Sequence, residues 1–136
     1  MNMQKYQQDH NKILAHISEL RKLVHQGITE NADEIANMIV AMSSIIKLHL
    51  AKEDRFLYPT LAKSKDPEIA MIGTEFQAEM GGVASTYTVF AHDWSIGKSI
   101  ADQPEAFRAS ANMIFKALHI RIQRENVELY PAAERI

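Results

Sequence analysis

The 136-residue chain contains no cysteine, which removes disulfides, iron–sulfur clusters, cysteine-type zinc sites and thiol nucleophiles together. Glycine (5) and proline (4) are scarce, too few for a fold assembled from many tight turns and short strands. An excess of charge is lacking too. The 15 basic and 17 acidic residues leave a net charge of −2, without the basic footprint that nucleic acid requires. The longest apolar stretch, near Ile35–Met42, is interrupted by Asn37 and is too short to span a bilayer, so no membrane partner is expected. No apolar core follows Met1-Asn2-Met3-Gln4-Lys5, so the expectation is a chain without a secretory signal, in the cytoplasm. What is present is ordinary for a folded domain: 46% hydrophobic and 24% charged residues, in a length that fits a single domain over residues 1–136.

Breaker signals divide the chain into four segments. From about Met3 to Gln26, apolar residues fall at Ile13, Leu14, Ile17, Leu20, Leu23 and Val24, steps of three and four that mark one face of a helix. Gly27 suits the end of that helix. The second segment, roughly Ala32 to Ala62, carries Ile35, Ile39, Met42, Ile46, Leu50 and Leu57 at similar spacing. Asp66-Pro67 reads as an N-cap followed by a first-turn proline and opens a third segment expected to run to about Ile100. Asp102-Gln103-Pro104-Glu105 repeats the signal and opens the fourth. Four long helices with short connections predict an all-α, up-down antiparallel four-helix bundle. Pro59 and Pro131 are expected to kink or end their helices, and Gly81-Gly82 to weaken the third. A faint repeat aligns His49–Pro59 with Arg121–Pro131, with Glu, Leu, Tyr and Pro at matching places.

His49 and Glu53 stand four apart and so share a helix face. Counted outward from the first loop, His10 and His49 lie equally far from it, which puts them at one level of an antiparallel hairpin. The same counting from the later loops brings Glu53, Glu79 and Glu125 to that level. Buried carboxylates demand a cation or strong hydrogen bonds, and a metal held between facing helices is a recurrent solution. His10, His49, Glu53, Glu79 and Glu125 are therefore the candidate metal ligands. The remaining histidines, His16, His25, His92 and His119, read as surface or core-edge residues, and Tyr58, Tyr130 and Trp94 as packing at the bundle ends.

Asp9-His10, followed by His49-Leu50-Ala51-Lys52-Glu53-Asp54-Arg55-Phe56-Leu57-Tyr58-Pro59, resembles the hemerythrin-like (HHE cation-binding) domain over nearly the whole chain. The resemblance implies a four-helix bundle with an interior non-haem di-iron centre, bridged by carboxylates and held by histidines. By position it makes His10 and His49 terminal ligands of one iron, and Glu53 and Glu125 the bridging carboxylates. The chain departs from that pattern in its second half, like a divergent bacterial branch. Glu75-Phe76-Gln77-Ala78-Glu79-Met80 carries no histidine, Phe76 stands where one is expected, and Arg121 replaces the histidine four before Glu125. His119 precedes Glu125 by six residues and faces elsewhere on an ideal helix.

Three functions follow as expectations. The first is a metal-binding protein with non-haem iron, one or two ions with one favoured, engaged in O2 or NO sensing or in iron handling. The second is an oxygenase, since two histidines and a carboxylate are the ligand count of non-haem iron enzymes. It is weakened by the absence of Glu-x-x-His on two helices and of any nameable acid–base pair. The third is a metal-free structural or regulatory module whose interior carboxylates are neutralised by Arg121.

Overall fold

A computed structural model describes all residues from 1 to 136. The chain is helical from end to end, with no strand. Helix α1 (Gln4–Gln26) stops at Gly27, whose φ of 137° favours glycine and whose amide caps the carbonyls of Leu23 and Val24. Helix α2 (Ala32–Lys52) continues through one π turn (Glu53–Leu57) into α3 (Tyr58–Ala62). After the loop, α4 (Pro67–Met80) begins as the sequence predicts, with the Asp66 carboxylate accepting from the Glu68 amide. The last rod is α7 (Pro104–Arg124), a second π turn (Glu125–Leu129) and α8 (Tyr130–Glu134).

The third segment is not one helix. It divides at Gly81-Gly82 into α4 and α5 (Val83–Asp93), and a separate short α6 (Gly97–Asp102) precedes α7. Two adjacent glycines lower helix propensity enough for the chain to break there. The rods still pack as an antiparallel bundle: α1 lies on α2, α3 on α4, α2 on α5 and α5 on α7. A close crossing lies at Gly73, where a Cβ would stand 2.3 Å from the amide nitrogen of Ala62. Glycine there lets α4 approach α3.

The prolines do not end the rods, since helix continues past both Pro59 and Pro131. In an α-helix the Pro59 ring would collide with the Arg55 carbonyl four residues earlier, and the Pro131 ring with that of Val127. The π turns widen the helix at these places. The Tyr58 amide donates to the Glu53 carbonyl and the Tyr130 amide to the Glu125 carbonyl, five residues back in each case.

By length and composition alone, the 31-residue stretch Ala32–Ala62 could cross a membrane. In this fold it is the central rod, with α2 packed against α1, α5 and α6. The core falls into two apolar clusters. The larger joins α1, α2, α5, α6 and α7 through residues such as Ile17, Ile39, Phe90 and Phe115. The smaller lies at the π-turn end, around Leu57, Tyr58, Phe76, Leu129 and Tyr130. Six buried polar residues accompany them: His10, Ser43, His49, Glu53, Arg121 and Glu125.

Candidate metal centre

His10 is supplied by α1, His49 by the last turn of α2, and Glu53 and Glu125 each by the first residue of a π turn. One ligand atom from each lies within 4.8 Å of all the others, and all four side chains are buried. Glu79 is not among them. It is half exposed and forms an ion pair with Arg124 on the surface. The inward positions of α4 are Ile69, Gly73, Phe76 and Met80, and Glu79, one residue before Met80, points about 100° away from that stripe.

Both histidines are held from behind by acceptors. His49 Nδ1 lies 3.0 Å from Asp9 Oδ2, and His10 Nδ1 lies 2.8 Å from Asn126 Oδ1. A carboxylate or an amide oxygen can only accept, so each Nδ1 carries the hydrogen, and in a neutral ring Nε2 is a bare lone pair. Those lone pairs face carboxylates. His10 Nε2 is 2.9 Å from Glu125 Oε1, and His49 Nε2 is 3.2 Å from Glu53 Oε1. With both carboxylates ionised and both rings neutral, acceptor opposes acceptor in each contact, a polarity that a metal ion or a proton bound at the site resolves. A carboxylate–histidine pair behind the ligand nitrogen is the arrangement that orients imidazoles for metals.

Arg121 supplies permanent positive charge on the other side of the carboxylates. Its guanidinium is fully buried and uses four donors: Nε to Glu125 Oε2 at 3.2 Å, Nη2 to Glu53 Oε1 at 3.2 Å and to Asp54 Oδ1 at 3.0 Å, and Nη1 to the Met80 carbonyl at 3.2 Å. That carbonyl ends α4 at the Gly81-Gly82 break, so the break itself provides an acceptor for the arginine. The guanidinium also lies over the Tyr58 ring, 5.1 Å from its centroid, while Phe76 packs edge-on against that ring at 5.6 Å. The half of the interior that lacks histidines is thus filled by Arg121, Tyr58 and Phe76.

The two carboxyl groups are driven apart electrostatically. Burial raises Glu53, but the hydrogen bond and charge of His49, a hydrogen bond with Glu125 and the Arg121 charge outweigh it and bring it to about 2. Burial and the Glu53 charge push Glu125 to about 7, against the opposing pull of the His10 hydrogen bond and Arg121. His49 is raised in spite of its burial by its contacts with Glu53 and Asp9 and by the Glu125 charge. In the absence of another cation, the site draws a proton to itself.

Both tyrosines of the repeat pack in the apolar cluster at the π-turn end, as expected, and in addition reach the polar cluster with their hydroxyls. Tyr58 Oη donates to Glu125 Oε2. Tyr130 Oη lies 2.6 Å from Glu53 Oε2, 2.9 Å from His10 Nε2 and 3.4 Å from His49 Nε2. On an α-helix, residues five apart diverge by about 140°; the π turn stacks Tyr58 over Glu53 and Tyr130 over Glu125. The matched Glu–Tyr-Pro spacing of the repeat was the signal for them. Asn126, Asp54 and Tyr6, whose ring stands edge-on to His49 at 5.8 Å, complete the surroundings. His25 and His119 instead line a surface hollow of about 590 Å³ between α1 and α7, away from the cluster. His92 is exposed and His16 half-buried.

The donor set fits a metal: two imidazoles and two carboxylates converge in a buried interior, with each imidazole Nδ1 bonded on the far side. Imidazole and carboxylate ligation suits iron, manganese or zinc and not Cu(I). Comparisons with curated proteins and with solved structures gave no match. A family model, that of the hemerythrin HHE cation-binding domain, matches residues 3–133. With a match over nearly its full length and a buried His–Glu cluster in the bundle, the chain belongs to the hemerythrin HHE cation-binding domain family.

Proposed function

We propose that this protein is a cytoplasmic, mononuclear non-haem iron protein whose ion is held by His10, His49, Glu53 and Glu125 and whose second metal position is taken by Arg121. The observation that carries this reading is the pair of opposed acceptors, His10 against Glu125 and His49 against Glu53, with each imidazole hydrogen committed to Asn126 or Asp9 on the far side. Iron bound there would supply redox chemistry and affinity for O2 or NO, which fits a role in sensing these gases or in iron handling. The protein's own groups set the terms of that chemistry. Asp9 and Asn126 hold the imidazole rings in register, Arg121 neutralises carboxylate charge, and Tyr6 packs against His49. Reversible O2 carriage between two irons does not fit, because a guanidinium bound to both Glu53 and Glu125 repels a second cation.

One observation favours a second reading, a metal-free structural or regulatory module. Arg121 already pairs with Glu53, Asp54 and Glu125, and with Glu125 pushed to about 7 the interior can approach neutrality without an ion. Metal content per chain, measured on protein purified without chelator and read beside ultraviolet–visible spectra in air and under reduction, separates the two. One iron per chain supports the mononuclear site. Two ions in a coupled centre refute the role given to Arg121, and none establishes the metal-free module.

A further inference from the structure

We infer that Tyr130 is itself a metal ligand, the phenolic fifth donor of the interior site, and that Tyr58, its counterpart in the repeat, is not. The inference rests on the metal-binding reading above. Its ground is the placement of one oxygen. Tyr130 Oη lies 2.6 Å from Glu53 Oε2, 2.9 Å from His10 Nε2 and 3.4 Å from His49 Nε2. Donors about 2.1 Å from a common ion stand about 3.0 Å apart at right angles and about 3.4 Å apart at tetrahedral angles. The His10–Glu125 and His49–Glu53 contacts, at 2.9 and 3.2 Å, belong to the same range. Tyr130 is spaced like a member of that donor set.

A purely structural hydroxyl does not account for this position. A phenol has one hydrogen to donate, and with both imidazoles in the neutral Nδ1–H form that metal binding requires, Tyr130 Oη faces three acceptors, so without an ion two contacts stay lone pair to lone pair. As a ligand, the oxygen needs no hydrogen for any of them. Coordination breaks the phenol O–H bond, forms an oxygen–metal bond and releases the proton to solvent, with no change of oxidation state. The backbone enforces the position, since the Tyr130 amide bonds the Glu125 carbonyl five residues back, and the side chain is wholly buried.

Tyr58 reaches its place by the same π-turn bond to Glu53, but its surroundings differ. Its hydroxyl donates to Glu125 Oε2, the oxygen that also receives Arg121 Nε, and its ring carries the guanidinium 5.1 Å from its centroid. The arginine makes Tyr58 a hydrogen-bond donor beside a fixed cation. One repeat therefore yields two tyrosines with different work.

A phenolate on ferric iron produces an intense visible charge-transfer band that imidazole and carboxylate ligands do not. The test loads chelator-treated protein with ferrous iron, oxidises it in air, and records iron per chain and visible spectrum for the wild type, Tyr130→Phe and Tyr58→Phe. We expect one iron and the band in the wild type, and the band in iron-loaded Tyr58→Phe whatever its iron affinity. Tyr130→Phe should lose the band completely and bind iron at least about tenfold more weakly. The band persisting in iron-loaded Tyr130→Phe, or vanishing in iron-loaded Tyr58→Phe, overturns the assignment. If Tyr130→Phe does not fold, the other two proteins suffice, because iron-loaded wild type without the band refutes the ligand while leaving the metal site standing. A wild type that takes up no iron overturns the metal reading and the tyrosine with it.

Discussion

Replacing Arg121 by alanine removes the one permanent cation bound to the interior carboxylates. Glu53 and Glu125 are fully buried and both pair with it, so the variant leaves them facing each other without compensation. Breaking a buried pair in this way costs about 3–5 kcal/mol, a large part of the roughly 5–15 kcal/mol that holds a domain together. At about 3 °C per kcal/mol for a chain of this size, the expected fall in Tm is about 10–15 °C. The loss also depends on pH. Glu125 is raised to about 7 from an ordinary 4.5, so between those values the folded state holds a proton that the unfolded state has released, and stability falls as pH rises. Without Arg121 the carboxyl resists ionisation further, so the deficit of Arg121→Ala relative to wild type grows as pH rises through about 7 toward 8. Urea denaturation in the presence of a chelator, at several pH values, measures this. Pairing Arg121→Ala with Glu125→Gln should cost less than the sum of the single changes, since the orphaned charge is gone. A deficit below about 1 kcal/mol at pH 8, or one that does not change with pH, would refute the ionic account of Arg121.

Other perturbations report on the site directly. His49→Ala should abolish most metal content while His25→Ala leaves it intact, since His49 Nε2 lies in the cluster and His25 on a surface hollow; equal losses in two folded variants would misplace the centre. Arg121→His replaces the fixed cation by a ligand beside Glu53 and Glu125, and elemental analysis should find the capacity rising from one ion toward two. Asp9→Asn weakens the hold on His49 Nδ1, and isothermal titration should read a loss of about 10–100-fold in metal affinity; unchanged affinity would show that the imidazole needs no such support.

Much of this protein is legible without coordinates because it is local. The apolar steps of α1 and α2 and the His49–Glu53 pair are matters of residues three or four apart, and the Asp66-Pro67 cap of adjacent ones, and helices encode those spacings directly. Counting outward from the loops also matched His10 to His49 in depth. Depth is not direction, however. Glu79 reaches the right level and points to solvent, because the phase of α4 follows its apolar stripe through Gly73, Phe76 and Met80.

Three features belonged to the tertiary structure alone. The π turns shift hydrogen bonding from four residues to five, a change that no 100° periodicity contains, and so rotate Tyr58 and Tyr130 into the cluster. The break at Gly81-Gly82 leaves the Met80 carbonyl for Arg121, a contact between residues 41 apart. The pairing of Asn126 with His10 and of Asp9 with His49 joins separate rods. Sequence determines which side chains a helix presents and how far along it they lie; the packing of one rod against the next sets the rotation of each, and with it which of the available acids, imidazoles and phenols meet at one point.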